Sequence, residues 1–506
     1  MRGIPSLITD IRKKVFTEVA RMAYSGNGYE GAEDLPFKIV PGDQPLHRES
    51  IFLERAIAGE RVRLAMGLSI RPVQTRSLMT EGMDAAAIAE QYYEPPLINI
   101  IPYACHACPT NQYRVTENCQ NCLAASCQRV CPKGAVSFVN GKSHIDPKKC
   151  IKCGKCASAC PYHAIIHMER PCQAACGMDA IVSDEHGRAK IDQDKCVACG
   201  QCLVSCPFGA IVDKGQIFQV IQSILKGDRV IAIVAPAFIG QFSGKVSPGK
   251  FVTAMKQLGF DRVMEVAIGA DLCAAQEAED FVKEVPEKLP FMATSCCPSW
   301  SMMAKKLFPE QAKCISMALT PMVLTARLIK QKEPDCKIVF VGPCAAKKLE
   351  ASRKSIRSYV DFVLTFEEVA GMFDAKGVDW KDIPEGEPLF RASADGRGFA
   401  VSGGVAQAVV HAVKRIDPER EVKVVNAEGL QNCKKMLQMA KAGKYNGYLL
   451  EGMACPGGCV AGAGTLQVVK KAAAALEKMK GEASFTESSD SKYQSRLESL
   501  EKFDVE

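Results

Sequence analysis

The spacing of its cysteines constrains this chain more than anything else in it. Of 25 cysteines in 506 residues, sixteen fall between residues 101 and 215, at short fixed intervals. A disulfide scaffold of that density is short and exported, whereas clustered cysteines in a long chain without an export signal bind metal. Two runs have the form C-x2-C-x2-C-x3-C-P: Cys150, Cys153, Cys156, Cys160-Pro161 and Cys196, Cys199, Cys202, Cys206-Pro207. Three thiolates on one tight loop cap three irons of a cubane, and the fourth points away to a neighbouring cluster. Zinc closes with four ligands and does not account for the added C-x3-C-P.

A third run is a variant, Cys119, Cys122, Cys127, Cys131-Pro132, and a fragment, Cys172-Gln-Ala-Ala-Cys176, echoes Cys127-Gln-Arg-Val-Cys131. Eighteen residues separate Cys131 from Cys150 and nineteen separate Cys176 from Cys196; both gaps hold a Gly, an Ile-Asp pair and a Lys before the next Cys. This is an internal repeat of one ferredoxin module. The crossover rule then groups Cys119, Cys122 and Cys127 with Cys160; Cys150, Cys153 and Cys156 with Cys131; and Cys196, Cys199 and Cys202 with Cys176. Cys172 and Cys206 lack two ligands, which the pair Cys105-His106-Ala107-Cys108 can supply, with His106 a bystander. Four 4Fe–4S clusters result. A rival grouping makes the 150 and 196 runs one module and leaves Cys172 and Cys176 out. Clusters in series imply electron transfer toward a redox centre.

Around this zone the chain divides into a cysteine-free helical segment (1–100, with amphipathic stretches at 7–24 and 49–66), the cluster region (101–215), a third zone (216–480) and a Ser-rich, acidic tail (481–506) expected to fray. Hydrophobic residues make up 47% and charged residues 24%, values of an ordinary globular protein. The net charge of +7 is mild and the Lys and Arg are scattered, which argues against nucleic acid as a partner. No apolar run reaches the roughly 18 residues that span a bilayer, and no signal core opens the chain, so the reading is cytoplasmic and membrane-free. In the third zone apolar runs lead into Gly-, Pro- or Cys-rich loops: VIAIV into Ala235-Pro236-Ala237, PFMA into Thr294-Ser295-Cys296-Cys297, KIVFV into Gly342-Pro343-Cys344, and YLLEGMA into Cys455–Cys459. Helical patterns separate them. That alternation predicts a parallel-sheet α/β domain with ligand loops beyond the strand ends.

Three of these loops, Thr294-Ser295-Cys296-Cys297-Pro298-Ser299-Trp300, Gly342-Pro343-Cys344-Ala345-Ala346-Lys347-Lys348 and Glu451-Gly452-Met453-Ala454-Cys455-Pro456-Gly457-Gly458-Cys459, resemble in order and separation the signature segments of FeFe hydrogenases. The Ser299 and Gly342 variants are similar to a divergent branch of that family. The resemblance implies two parallel-sheet lobes around an H-cluster, behind α+β ferredoxin-like modules. It implies that Cys297, Cys344, Cys455 and Cys459 hold a 4Fe–4S cluster, and that Cys459 also bridges to a di-iron subcluster with CO, CN⁻ and azadithiolate. Lys347 would face one cyanide, Ala235 and Pro236 would offer backbone contacts to the other, and Met453 would pack over the di-iron unit. Cys296, Glu277, Asp280 and Ser316 fall where the family has its proton relay. Ala237, Gly342 and Met322 stand where the family often has Ser, Met and Gln. Cys273, Cys314, Cys336 and Cys433 match no motif and read as structural thiols. The implied activity is reversible reduction of protons to H2 with ferredoxin or a similar carrier, after loading by hydrogenase maturation proteins. The alternative is a hydrogenase-derived H2-sensing or iron–sulfur assembly protein.

Overall fold

Ser6 opens the first helix with a capping box: its hydroxyl accepts from Thr9 N while the Thr9 hydroxyl accepts from Ser6 N, settling two amides that a helix start leaves unpaired. In this computed structural model, which describes residues 3–87, 95–244, 246–353, 355–357, 359–389 and 391–502, the resulting Leu7–Tyr24 helix packs on the helices Phe366–Ala375 and Ile217–Leu225. Gly371 makes that approach possible, since a Cβ there would fall 2.5 Å from the Phe16 Cβ. The opening segment is thus built onto the third zone. A buried ionic network fixes it: Arg12 reaches Glu367 at 2.6 Å and Asp213 at 3.4 Å, and Lys348 reaches Asp213 at 2.7 Å and Glu368 at 3.1 Å. Removing one member of such a network costs about 3–5 kcal/mol, because the others are left buried and unpaired.

The cluster region and the residues just before it contain eight short strands: β1 (Ile98–Ile100), β2 (Gln112–Val115), β3 (Val136–Val139), β4 (Lys142–Ile145), β5 (Ile165–Met168), β6 (Ile181–Ser183), β7 (Ala189–Ile191) and β8 (Ile211–Asp213). They form the same figure twice. An outer antiparallel pair, β2 with β5, encloses the hairpin β3–β4; a second outer pair, β1 with β8, encloses β6–β7. The repeat is therefore present as two ferredoxin-like copies, the first inserted within the second. One boundary differs from expectation. β1 lies in the stretch read as helical, and it belongs to the second copy because its partner β8 lies more than a hundred residues further on, beyond the reach of local pattern.

In the third zone the strands are β9 (Val230–Val234), β10 (Arg262–Glu265), β11 (Met292–Ala293), β12 (Lys337–Gly342), β13 (Phe362–Thr365), β14 (Lys423–Glu428) and β15 (Tyr448–Met453). They make two parallel sheets, ordered β10-β9-β12-β13 and β11-β15-β14. All five residues of β9 are buried, as a strand covered on both faces requires. The two lobes that the motifs implied are both present, and their loop-bearing strand ends face a common cavity. The end of the chain, expected to fray, is docked as far as Lys502. Leu500 is fully buried in the Leu497–Glu501 helix, its carbonyl accepts from Arg327 at 2.7 Å, and Gln494 donates to the Asp271 carbonyl. Two leucines three residues apart and captured carbonyls hold a segment whose composition alone reads as disordered. Among the described residues no helix is long and apolar enough to cross a membrane.

Candidate redox site and its cluster loops

The first C-x2-C pair of each cluster loop turns through a left-handed residue at its second intervening position: Ala107 (φ 47°), Asn121 (48°), Lys152 (61°) and Ala198 (52°). Such a conformation costs a non-glycine residue about 1–2 kcal/mol. Its recurrence has a purpose visible in the hydrogen bonds, since the turn aims amides at sulfur: Lys152 N to Cys150 Sγ and Ala198 N to Cys196 Sγ, both 3.4 Å. A second turn recurs three residues after Cys131, Cys160, Cys176 and Cys206, where Gly134, His163, Asp179 and Gly209 all have positive φ. The following amides donate back to sulfur, Ala135 to Cys131 at 3.2 Å, Ala164 to Cys160 at 3.4 Å and Ala180 to Cys176 at 3.3 Å. Cys105–Cys108 and Cys176, the least regular in sequence, share the backbone of the regular runs. Amide donors to sulfur set cluster potentials.

Two of the four proposed quartets each line a single cavity. Cys105, Cys108, Cys172 and Cys206 line one small cavity, and Cys176, Cys196, Cys199 and Cys202 line another. Cys156 has Cys150 and Cys131 as charge neighbours, with Cys153 exposed on the same loop. Cys119 and Cys127 flank Ser143, whose amide donates to Cys119 Sγ at 3.4 Å, and Cys127 packs in one small core with Cys160. Cys122 lies on the Cys119 loop. Among the described residues no three His, Cys, Asp or Glu side chains can share a single ion; thiolates at separate corners of a cubane stand further apart than the ligands of one ion. His106 stacks on Phe208 at 4.4 Å between ring centres, the place of a bystander. Cys176 is followed by Gly177 where the regular runs have proline, and a Cβ on Gly177 would fall 2.6 Å from the Leu430 Cβ of the third zone.

Between the two lobes lies a nearly apolar cavity, lined by Cys297, Cys344, Cys455 and Cys459. Ala235, Pro236, Met453, Lys347 and Cys296 line it too, and Cys199 reaches it from the second ferredoxin copy. Cys297 immediately precedes the Pro298–Leu307 helix, and the amides of Ser299 and Trp300 face its sulfur, stabilising a thiolate against burial. Trp300 donates to the Thr294 carbonyl at 3.0 Å, and its ring presses so closely on Gly452 that no Cβ fits there. Ser299 donates to the Val197 carbonyl at 3.0 Å, tying the first signature loop to the second copy. Lys347 Nζ stands 2.7 Å from Glu350 Oε2, one helical turn on, in an alignment that gives neither atom a well-directed hydrogen bond. Burial pulls the ammonium down, but the Glu350 carboxylate beside it raises it above its ordinary value. Lys347 is therefore a charged donor at the wall of a dry cavity. Four thiols, a buried ammonium and apolar walls are a donor set that fits a cubane and an attached cluster.

Glu277 leads away from Cys296. The carboxylate is fully buried on the Ala267–Glu284 helix and accepts from Ser295 N at 2.9 Å and Ser295 Oγ at 3.3 Å. Burial pushes it up to about 7, against the lowering influence of Ser295 and the Ser316 hydroxyl. Burial also holds the Cys296 thiol well above its ordinary value, with the Glu277 charge adding to the effect, so it is a protonated donor. Asp280, one turn further along the same helix and half-buried, is raised by burial and by Glu284. Cys273 is buried beside Glu277 and Lys347.

The model of the iron-only hydrogenase large subunit, C-terminal domain, matches residues 228–463, and that of the 4Fe-4S binding domain matches 143–166 and 189–212. The periplasmic [Fe] hydrogenase large subunit of Nitratidesulfovibrio vulgaris is 31% identical over 48% of this chain and 70% of its own length. The chain belongs to the iron-only (FeFe) hydrogenase family. Iron hydrogenase 1 of Clostridium pasteurianum is 28% identical over 74% of each chain. A probable cytosolic Fe-S cluster assembly factor of Aedes aegypti is 28% identical over 41% of this chain and 54% of its own.

Within that family fold, the departures at the site have local accommodations. Ala237 and Met322 line the cavity without a donor. At Gly342 a Cβ would meet the Phe340 ring at 2.5 Å; two residues apart on one strand face, Phe340 fills the space a larger residue at 342 would take. Sequence reading passed over three residues. Phe340 was hidden in an apolar run. Glu350 was detectable as the i+3 partner of Lys347; it also accepts from Thr320 Oγ1 at 2.6 Å. Glu451 sits inside a quoted motif, yet its buried carboxylate accepts from Gly403 N and Ala406 N, both at 2.7 Å, anchoring the start of the Gly404–Ile416 helix. Cys433, given no role, donates weakly to the Ala427 and Met453 carbonyls, as a structural thiol does.

Proposed function

We propose that this chain catalyses the reversible reaction 2H⁺ + 2e⁻ ⇌ H2, with Cys297, Cys344, Cys455 and Cys459 holding the H-cluster and four accessory 4Fe–4S clusters carrying electrons to and from ferredoxin or a similar carrier. The bound cofactor, loaded by maturation proteins, supplies the metal chemistry that cleaves or forms dihydrogen. The chain supplies the rest. Apolar walls exclude water and strengthen every charge in the cavity. Lys347 donates to an anionic ligand in that dry space, Ala235 and Pro236 shape the opposite wall, and Met453 covers the site. Protons pass between Cys296 and Glu277, with Ser316 beside the carboxylate and Asp280 toward solvent. A carboxylate poised near 7 both accepts and donates at physiological pH.

One observation carries the reading: a single cavity has the cluster-loop cysteine Cys199 on one side and, on another, the Cys296 thiol with the buried Glu277 carboxylate behind it as a charge neighbour. Electrons and protons arrive separately, as this reaction requires. An assembly role like that of the Aedes aegypti relative needs cluster cysteines but no Cys296 or Glu277. Infrared spectra of maturase-loaded protein test the two. The hydrogenase reading expects CO and CN⁻ bands together with viologen-linked H2 turnover lost in Cys296→Ala, and fails if turnover and bands are both missing.

A further inference from the structure

The two ferredoxin copies use the same face differently. In the second copy, the face around Cys176, Cys196, Cys199 and Cys202 is the one seated on the catalytic region. Val197 is 1%, Ala198 4% and Met178 5% exposed. A Cβ on Gly200 would fall 2.5 Å from the Ala463 Cβ. Lys306 donates to the Asp194 and Cys196 carbonyls at 2.6 and 2.9 Å, and Gln201 donates to Cys455 Sγ at 3.4 Å. In the first copy the equivalent face, around Cys131, Cys150, Cys153 and Cys156, is open: Ile151, in the place of Val197, is 55% exposed, Val130 is 37% exposed, and Cys153 is exposed.

Charge separates the copies further. Residues 124–168 carry seven Lys and Arg against one Asp or Glu; the equivalent 169–214 carry five against seven. Both copies hold the same number of cluster cysteines, so compensation of cluster charge does not explain the difference. Six of the seven cations, Arg129, Lys133, Lys148, Lys149, Lys152 and Lys155, flank Cys131 or the Cys150–Cys156 loop. The residues standing where Lys148, Lys152 and Lys133 stand are Asp194, Ala198 and Met178. Among the described residues Lys149 alone of the six has a carboxylate partner, Asp146 at 4.0 Å.

We propose that this open face of the first copy is the docking surface for an acidic, soluble one-electron carrier protein, which transfers one electron to or from the Cys131–Cys150–Cys153–Cys156 cluster. The inference deepens the functional reading above by naming the face and the charge of the carrier. An apolar centre (Ile151, Val130) beside the cluster loop, ringed by six cations of which five have no carboxylate partner among the described residues, has the pattern of a transient interface in which charge steers encounter and apolar contact fixes the pose. In the second copy this face of the module is buried against the rest of the chain; the first presents it to solvent with the opposite charge balance.

The test is the Kd of an acidic two-cluster ferredoxin for the cluster-loaded chain, measured by biolayer interferometry at low salt, beside viologen-linked H2 turnover. Lys133→Glu/Lys148→Glu should raise the Kd by about tenfold or more, and the difference should shrink in 0.5 M salt. The neutral pair Lys133→Gln/Lys148→Gln should shift it less, while iron content stays unchanged. The reversal Lys470→Glu/Lys478→Glu, on the remote Val469–Gly481 helix, should leave it alone. An equal Kd for both charge-reversed proteins, or equally tight binding of a basic cytochrome, overturns the proposal. Absence of viologen-linked turnover in the unsubstituted protein would sink the hydrogenase reading and leave the binding result standing.

Discussion

The first and second ferredoxin copies share a strand plan, two left-handed loop turns and the same amide-to-sulfur hydrogen bonds, yet one is packed into the catalytic region and the other stands in solvent. The difference lies outside the ligands. Where the second copy touches the catalytic region its residues are small or neutral (Gly177, Val197, Ala198, Gly200), and in the first copy the same places hold Pro132, Ile151, Lys152 and a Gly154 that faces only the Tyr113 hydroxyl. Cluster chemistry fixes the loop, and the neighbour fixes everything on its outer face.

The comparison can be broken most severely at the clusters themselves. Cys199→Ser, in the copy that reaches the catalytic cavity, should reduce H2 turnover to background with every donor. Cys153→Ser should spare turnover with viologen and remove it with a protein carrier. Equal losses in the two variants would mean that the copies are not in series. Glu277→Gln leaves both copies intact and separates proton from electron supply: H2 turnover should fall by about 10²–10⁴-fold. In the unsubstituted protein H2 uptake should weaken as pH falls through about 7, where the carboxylate stops accepting protons, and evolution should weaken as pH rises through it. A pH profile unchanged in Glu277→Gln would remove this carboxylate from the relay.

Smaller effects sharpen the contrast in packing. Gly200→Ala meets both left-handed strain and the Ala463 methyl, and should destabilise by about 2–5 kcal/mol. Gly154→Ala meets the strain and only a hydroxyl at the end of a tyrosine that can move, and should cost about 1–2 kcal/mol. Gly177→Pro, which restores the usual proline against Leu430, should cost about 1–3 kcal/mol, while Pro132→Gly should cost below about 1 kcal/mol. Denaturant midpoints of the loaded protein would check each pair.

The catalytic region has its own signature in pH. Asp271, buried and hydrogen-bonded to Ser393, is pushed by burial from 3.8 to about 8, with Glu265 and Asp395 adding to the effect. The folded chain keeps a proton there that the unfolded chain has released above pH about 4, so stability should decline as pH rises toward about 8. Asp271→Asn should flatten that decline in Tm measured between pH 5 and 8.

Much of this protein was legible as sequence because metal ligation and parallel-strand burial leave short-range patterns. Cysteine intervals gave the duplicated modules; fully apolar runs ending at Gly-, Pro- and Cys-rich loops gave the strands and the cavity they converge on; the motif order gave the family. Local pattern had no access to contacts formed between distant segments. It did not show that Leu7–Tyr24 packs on the catalytic region through Gly371, that β1 belongs to the second copy, or that the acidic end docks through Leu500 and Arg327. It did not assign Phe340 to the cavity wall, and it left the two copies equivalent in role. Those outcomes depend on which surfaces meet in three dimensions. A ligand spacing is set by one cluster and one loop, whereas the burial of Val197 and the exposure of Ile151 are set by what lies opposite, which only the assembled tertiary structure decides.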